Sequence, residues 1–144
     1  MEGAKLPERI LACVDGSEFG YKAADYAQLL AGKLNSNVIF LNVVGASAAE
    51  HEYNISADMV GSFQRMGQEA LAKCEKKARA VGINFRTVQL EGDPVLNILD
   101  YAQKTSCDCI VVGKRGMGKI EKLILGSVSQ KILEGSPVPV IVVK

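Results

Sequence analysis

The strongest chemical signal in this chain is Gly113-Lys114-Arg115-Gly116, which follows the apolar run Cys109-Ile110-Val111-Val112. After nine intervening residues come Gly126 and Ser127, and a helix-like segment runs on from Ser127 to Leu133. A buried strand that ends in glycine and resumes as a helix is a favoured place to hold phosphate. Glycine lets the backbone approach an anion closely, and the unpaired N–H groups at a helix start point towards it. Ser127 adds a hydroxyl there, and Lys114 and Arg115 add positive charge. A second constellation, Val14-Asp15-Gly16-Ser17, closes an earlier apolar run and contributes the carboxylate of Asp15. Read alone, Asp15 and Ser17 also suit the start of a helix, and the glycines suit tight turns. Together the two loops point to a nucleotide.

Neither of two common phosphate motifs fits. Gly113, four residues, then Gly118-Lys119 begins a P-loop, but Ile120 stands where a Ser or Thr would hold magnesium. Gly116-Met117-Gly118 begins a dinucleotide fingerprint, but Glu121 replaces its last glycine. Fast hydrolytic chemistry also lacks its parts. The only histidine, His51, lies in an apparent loop, and Asp15 is the only carboxylate that the pattern assigns to the site. One carboxylate able to position a metal or a water predicts slow hydrolysis at best, so a nucleotide-dependent switch is favoured over a nucleotide hydrolase. Cys107 and Cys109 are two apart, which in a strand puts them on one face. They lack a second ligand pair, and all four cysteines read as small buried apolar residues.

Composition narrows the class. The chain has 144 residues, 48% apolar and 23% charged, which suits a single domain spanning residues 1–144. With 17 basic and 16 acidic side chains the net charge is +1, so neither nucleic acid nor an anionic membrane is expected as a partner. No apolar run is long enough to span a bilayer and no signal peptide precedes Leu6, so a cytoplasmic location is expected.

Apolar runs alternate with helical patterns throughout. Strands are expected at Arg9–Val14, Val38–Val44, Ile83–Leu90, Cys107–Val112 and Pro139–Val143. Helices are expected from Ser17 to Leu34, Ala57 to Ala80, Val95 to Gln103 and Gly126 to Leu133. Asp93 caps the third helix ahead of Pro94. Ile83–Leu90 alternates apolar and polar, as an edge strand does, while Val38–Val44 is almost continuously apolar. Met59 and Met66 read as helix packing, and Lys76, Lys77 and Arg79 as a solvated face. The order predicts an α/β fold: a five-stranded parallel sheet in a doubly wound three-layer α/β/α sandwich. Ligands bind such sheets beyond the strand carboxyl ends, where the strand order reverses. If the first and fourth strands are neighbours there, their two loops meet in one cleft.

Gly113, Gly116, Gly126 and Ser127 fill the pattern G-x2-G-x9-G-S/T. With Val14-Asp15-Gly16-Ser17-Glu18, Leu41-Asn42-Val43-Val44, Gly92-Asp93-Pro94, Leu125-Gly126-Ser127-Val128-Ser129 and the Pro137–Val143 segment, the chain resembles the universal stress protein family over nearly its full length. The resemblance implies a Rossmann-like, adenine nucleotide α-hydrolase-like fold of the ATP-binding class. By position, it implies that Gly113, Arg115 and Gly116 line the ribose and phosphate path. Gly126, Ser127, Val128 and Ser129 would hold phosphates through N–H groups and hydroxyls. Asp15 would lie beside the ribose or a bound divalent Mg or Mn ion, Val14 would belong to the same binding set, and the Val43 backbone would meet the adenine edge. The segment from Gly45 to Ser56 varies in the family and is expected to close over the ligand. The resemblance also implies a homodimer through the C-terminal strand, whose bare apolar edge invites pairing, and a protein partner that the sequence leaves unidentified.

Overall fold

The computed structural model describes residues 3–45, 57–116 and 125–144. Its strands are β1 (Arg9–Cys13), β2 (Asn37–Val44), β3 (Phe85–Glu91), β4 (Cys109–Gly113) and β5 (Val140–Val143). Its helices are α1 (Glu18–Leu34), α2 (Ala57–Val81), α3 (Pro94–Lys104) and α4 (Ser127–Gly135). All strand pairs are parallel, and the sheet order is β3-β2-β1-β4-β5. The order reverses between β1 and β4, so the switch point lies where the two candidate loops begin.

Local chemistry sets the helix limits. The Ser17 hydroxyl accepts from Gly20 N–H at 3.0 Å and caps α1, while Asn35 ends that helix in the left-handed region at φ 56°. The Asp93 carboxylate accepts from Leu96 N–H at 2.9 Å, and Pro94 occupies the first turn of α3.

Strand alternation sorts the core into two halves. Ile10, Ala12, Val14, Val38, Phe40, Cys109 and Val111 face α1 and α2. Leu11, Ile39, Leu41, Ile110 and Val112 face α3 and α4. Phe40, Ile10, Leu11 and Ile110 are fully buried, and each contributes about 1.5–3 kcal/mol of apolar burial. The central strands are covered on both faces, which explains their unbroken apolar runs.

The expected pairing of Cys107 with Cys109 on one face is corrected. Strand β4 starts at Cys109, and Cys107 precedes it. Cys107 packs in the α3/α4 half and Cys109 in the α1/α2 half. The intervening Asp108 dictates this arrangement. Its Oδ2 accepts from the Glu8 and Arg9 N–H groups at 2.9 Å each, and Lys5 Nζ lies 3.4 Å from Oδ1. The side chain thereby clamps the entry to β1 against the start of β4. Burial opposes ionisation, but the two amides and Lys5 outweigh it and hold the carboxyl below its ordinary value.

Met59 and Met66, expected to pack on the helix, are only partly buried, with 48% and 38% of their surface exposed. Lys76, Lys77 and Arg79 are exposed as expected; Lys77 pairs with Asp25 and Arg79 with Glu75. No helix among the described residues is long and apolar enough to cross a membrane.

Candidate functional site

Beyond the carboxyl ends of β1, β2 and β4 lies a cleft of about 330 Å³. The ten positions singled out in the sequence all line it: Val14, Asp15, Val43, Gly113, Arg115, Gly116, Gly126, Ser127, Val128 and Ser129. The adjacency of β1 and β4 brings the two loops together.

The loop after β1 is built on Asp15. Its Oδ1 accepts from Ser17 N–H at 3.0 Å and from the Ser17 hydroxyl at 2.5 Å. One carboxylate oxygen therefore rigidifies the start of α1. The other, Oδ2, lies 2.5 Å from where a Cβ on Gly116 would sit. Glycine at 116 leaves this oxygen room on the cleft side. That is one carboxylate oxygen that a divalent ion could use. Among the described residues, no group of three or more His, Cys, Asp or Glu side chains could hold a metal alone.

The loop after β4 is closed by hydrogen bonds that also select its donors. Gly126 N–H donates to Lys114 O at 2.8 Å, and Lys114 N–H donates to Val143 O at 2.7 Å. The buried Ser129 hydroxyl donates to Gly113 O at 2.7 Å, tying α4 to the end of β4. The Gly126 amide and the Ser129 hydroxyl proton are thus spent on the loop. Gln130 N–H makes the first bond of the helix, to Gly126 O at 2.9 Å. That leaves the amides of Ser127, Val128 and Ser129 without an intrahelical acceptor, at the positive end of the α4 dipole. Gly113 packs on α1, because a Cβ there would come within 2.6 Å of Phe19 O. The Arg115 guanidinium stands 5.0 Å from the centre of the Phe19 ring, a cation–π contact that orients it at the cleft.

The β2 side presents backbone. Val14 N–H donates to Leu41 O at 2.9 Å as β1 ends. Alternation points the N–H and C=O of Val43 the same way, past the end of β1 and into the cleft.

The sequence reading missed several wall residues. Asn42 is buried; its Nδ2 donates to Val14 O at 2.8 Å and its Oδ1 accepts from Gln89 Nε2 at 3.1 Å. Gln89 Nε2 also donates to Gln64 O at 2.9 Å, so a polar ladder joins β1, β2, β3 and α2 behind the cleft. Phe63 and Met66 of α2 and Ile98 of α3 supply apolar walls. An asparagine inside an apolar strand was the available signal. Cys13 lies on the floor, where burial first and the Asp15 charge second push its thiol up to about 12, so it stays protonated and unreactive. Most of the Gly45–Ser56 segment lies outside the described residues, as do Gly118 to Glu121.

A doubly wound parallel sheet with a helix N-terminus, a guanidinium and a carboxylate at its switch point places the chain in the class of three-layer α/β proteins. The sequence model of the universal stress protein family matches residues 7–144, and the chain belongs to that family. It is 33% identical over 147 residues to universal stress protein MJ0531 of Methanocaldococcus jannaschii, covering 99% of this chain and 85% of that protein. Among solved structures, it is similar to UspA from Lactobacillus plantarum, with TM-score 0.85 at 22% identity over 98% of this chain and 100% of that one. A universal stress protein in complex with cAMP has TM-score 0.75 and 22% identity over 97% and 99% of the two chains. An Arabidopsis thaliana family member with AMP bound has TM-score 0.71 and 20% identity over 96% and 92%.

Proposed function

We propose that this protein binds ATP in the cleft between the β1 and β4 loops and acts as a nucleotide-dependent switch or sensor in a stress response. The observation that carries the reading is the convergence of the α4 N-terminus, whose first three amides have no intrahelical acceptor, Arg115 and the Val43 backbone on one cleft. In this reading the Ser127, Val128 and Ser129 amides and the Ser127 hydroxyl receive the phosphates. Arg115 neutralises their charge, and the Val43 backbone meets the adenine edge. Gly113, Gly116 and Gly126 keep the approach open, and Val14 and Asp15 border the ribose, with Asp15 Oδ2 available to a Mg or Mn ion. The bound cAMP and AMP of two structural neighbours support an adenine nucleotide. The open edge of β5 supports a homodimer through the C-terminal strand.

Mass spectrometry of the purified, denatured protein should find carried-over adenine nucleotide, and calorimetry should rank ATP above ADP above AMP. Each added phosphate gains charge-assisted bonds, so about tenfold between ATP and AMP is expected. Equal affinities would remove the phosphate argument, and no binding at all would remove the reading. Slow ATP hydrolysis, with Asp15 placing a water or metal, is the second reading; phosphate release that Asp15→Asn abolishes while ATP still binds would favour it.

A further inference from the structure

The face of the sheet covered by α3 and α4 changes character along its length. Towards the carboxyl ends its rows are apolar: Leu11, Ile39, Leu41, Val88 and Leu90. At the opposite end, below these rows, the same strands carry Arg9, Asn37, Asn84 and Arg86. Register places Arg9 beside Asn37 on β1 and β2, and Ile39 beside Arg86 on β2 and β3. Extending the β2–β3 register by one step sets Asn84 beside Asn37. Side chains in a strand alternate, so Arg9, Asn37, Asn84 and Arg86 emerge on one face of three adjacent strands.

They border a hollow of about 310 Å³, with Val38, Ile39 and Phe85 as its remaining walls. Among the described residues no carboxylate lines it. Among the described residues neither arginine forms an ion pair. One arm of Arg9 donates to the Thr105 carbonyl after α3, and the residue also lines the hollow. Two guanidinium groups flanked by two carboxamides lie at the end of the sheet remote from the nucleotide cleft; the acid beside Arg9, Asp108, has its Oδ2 on the Glu8 and Arg9 N–H groups and its Oδ1 paired with Lys5.

We propose that this hollow is a second anion site, which takes the phosphate of a small phosphomonoester. The chemistry selects a dianion. A carboxylate offers one charge and two oxygens, which a single guanidinium fork satisfies. A phosphomonoester offers two charges and three terminal oxygens, enough for two forks and an amide N–H. The site stands apart from the proposed nucleotide function and shares no lining residue with the cleft.

The test is a titration of the isotope-labelled full chain with methyl phosphate, followed by backbone and arginine side-chain NMR, with chloride and acetate as control anions. Methyl phosphate should shift the signals of Asn37, Asn84 and Arg86, saturably and at least tenfold more tightly than acetate. Arg86→Gln and, independently, Asn84→Asp should each weaken that response at least tenfold, while Arg115→Gln leaves it unchanged. Both altered side chains are exposed, and an unchanged spectrum away from the site confirms the fold of each variant. Shifts confined to residues 113–116 and 125–129, acetate binding as tightly as methyl phosphate, or an unweakened response in both variants would overturn the proposal. Loss of ATP binding with the lower site intact would refute only the nucleotide reading.

Discussion

Two glycines in one helix should respond to alanine with opposite signs. Gly61 and Gly67 both lie within α2, where glycine costs about 1 kcal/mol relative to alanine. A Cβ on Gly61 would meet only Arg65 Nη1, at 3.6 Å, an ordinary contact. Gly61→Ala should therefore stabilise the protein by about 0.5–1 kcal/mol. A Cβ on Gly67 would overlap Asn42 Oδ1 and approach its Cγ to 2.6 Å and Gln89 Nε2 to 2.8 Å. These atoms belong to the polar ladder behind the cleft, so the Asn42 amide must move or α2 must lift. Either change breaks the bonds from Gln89 to Asn42 and Gln64, or from Asn42 to Val14. Each buried polar group left unpaired costs about 1–3 kcal/mol, so two lost bonds outweigh the helix gain. The net effect of Gly67→Ala should be a loss of about 2 kcal/mol, or about 6 °C in Tm for a chain of this size. Urea unfolding of the two variants with the wild type measures both signs. Gly67→Ala as stable as Gly61→Ala would refute the close-contact argument. In the proposed function, Gly67→Ala should also weaken ATP binding, since the ladder holds the Val14 carbonyl at the cleft.

Gly116→Val should lower nucleotide affinity at least tenfold with unchanged circular dichroism, because a side chain there meets Asp15 Oδ2; calorimetry at full occupancy of the wild type checks it. Asp108→Asn should cost about 1 kcal/mol at pH 7, because the amide oxygen still accepts from the Glu8 and Arg9 N–H groups but without the charge that strengthens both bonds. Because folding lowers the Asp108 pKa, its contribution is present above the ordinary aspartate value of about 4 and is lost as pH falls below it. Denaturation from pH 7 to pH 2 should show the wild-type advantage shrinking in that acid window; a constant difference would remove the ionic argument. Pro139 O and Val143 O face β4, so the N–H of Val142 points to the open edge. Val142→Pro should turn the expected dimer into a monomer by light scattering, and an unchanged dimer would place the interface elsewhere. Aspartate at 140 or 142 is a poorer probe, since both valines pack against the α3/α4 half of the core.

Periodicity and capping act within a few residues, so the sequence by itself determined the elements. Ser17, Asp93 and Pro94 started helices where expected, and the alternating third strand lies at an edge of the sheet. The glycine pattern likewise marked the β4 loop, because closing it needs local backbone chemistry. Only the tertiary structure decided which groups face the cleft and which are consumed in building it. Nothing in the sequence reveals that the Gly126 amide bonds Lys114 O or that the Ser129 hydroxyl bonds Gly113 O. Nor does it show that Asp15 divides its two oxygens between Ser17 and the cleft. The Asn42–Gln89 ladder spans 47 positions and needed the β2–β3 register to become visible. Gly67, a helix weakness by propensity, proves to be the contact that lets α2 sit on Asn42. Donors and acceptors are local properties of residue types, whereas their partners depend on the strand order, which brings distant segments to within hydrogen-bond reach.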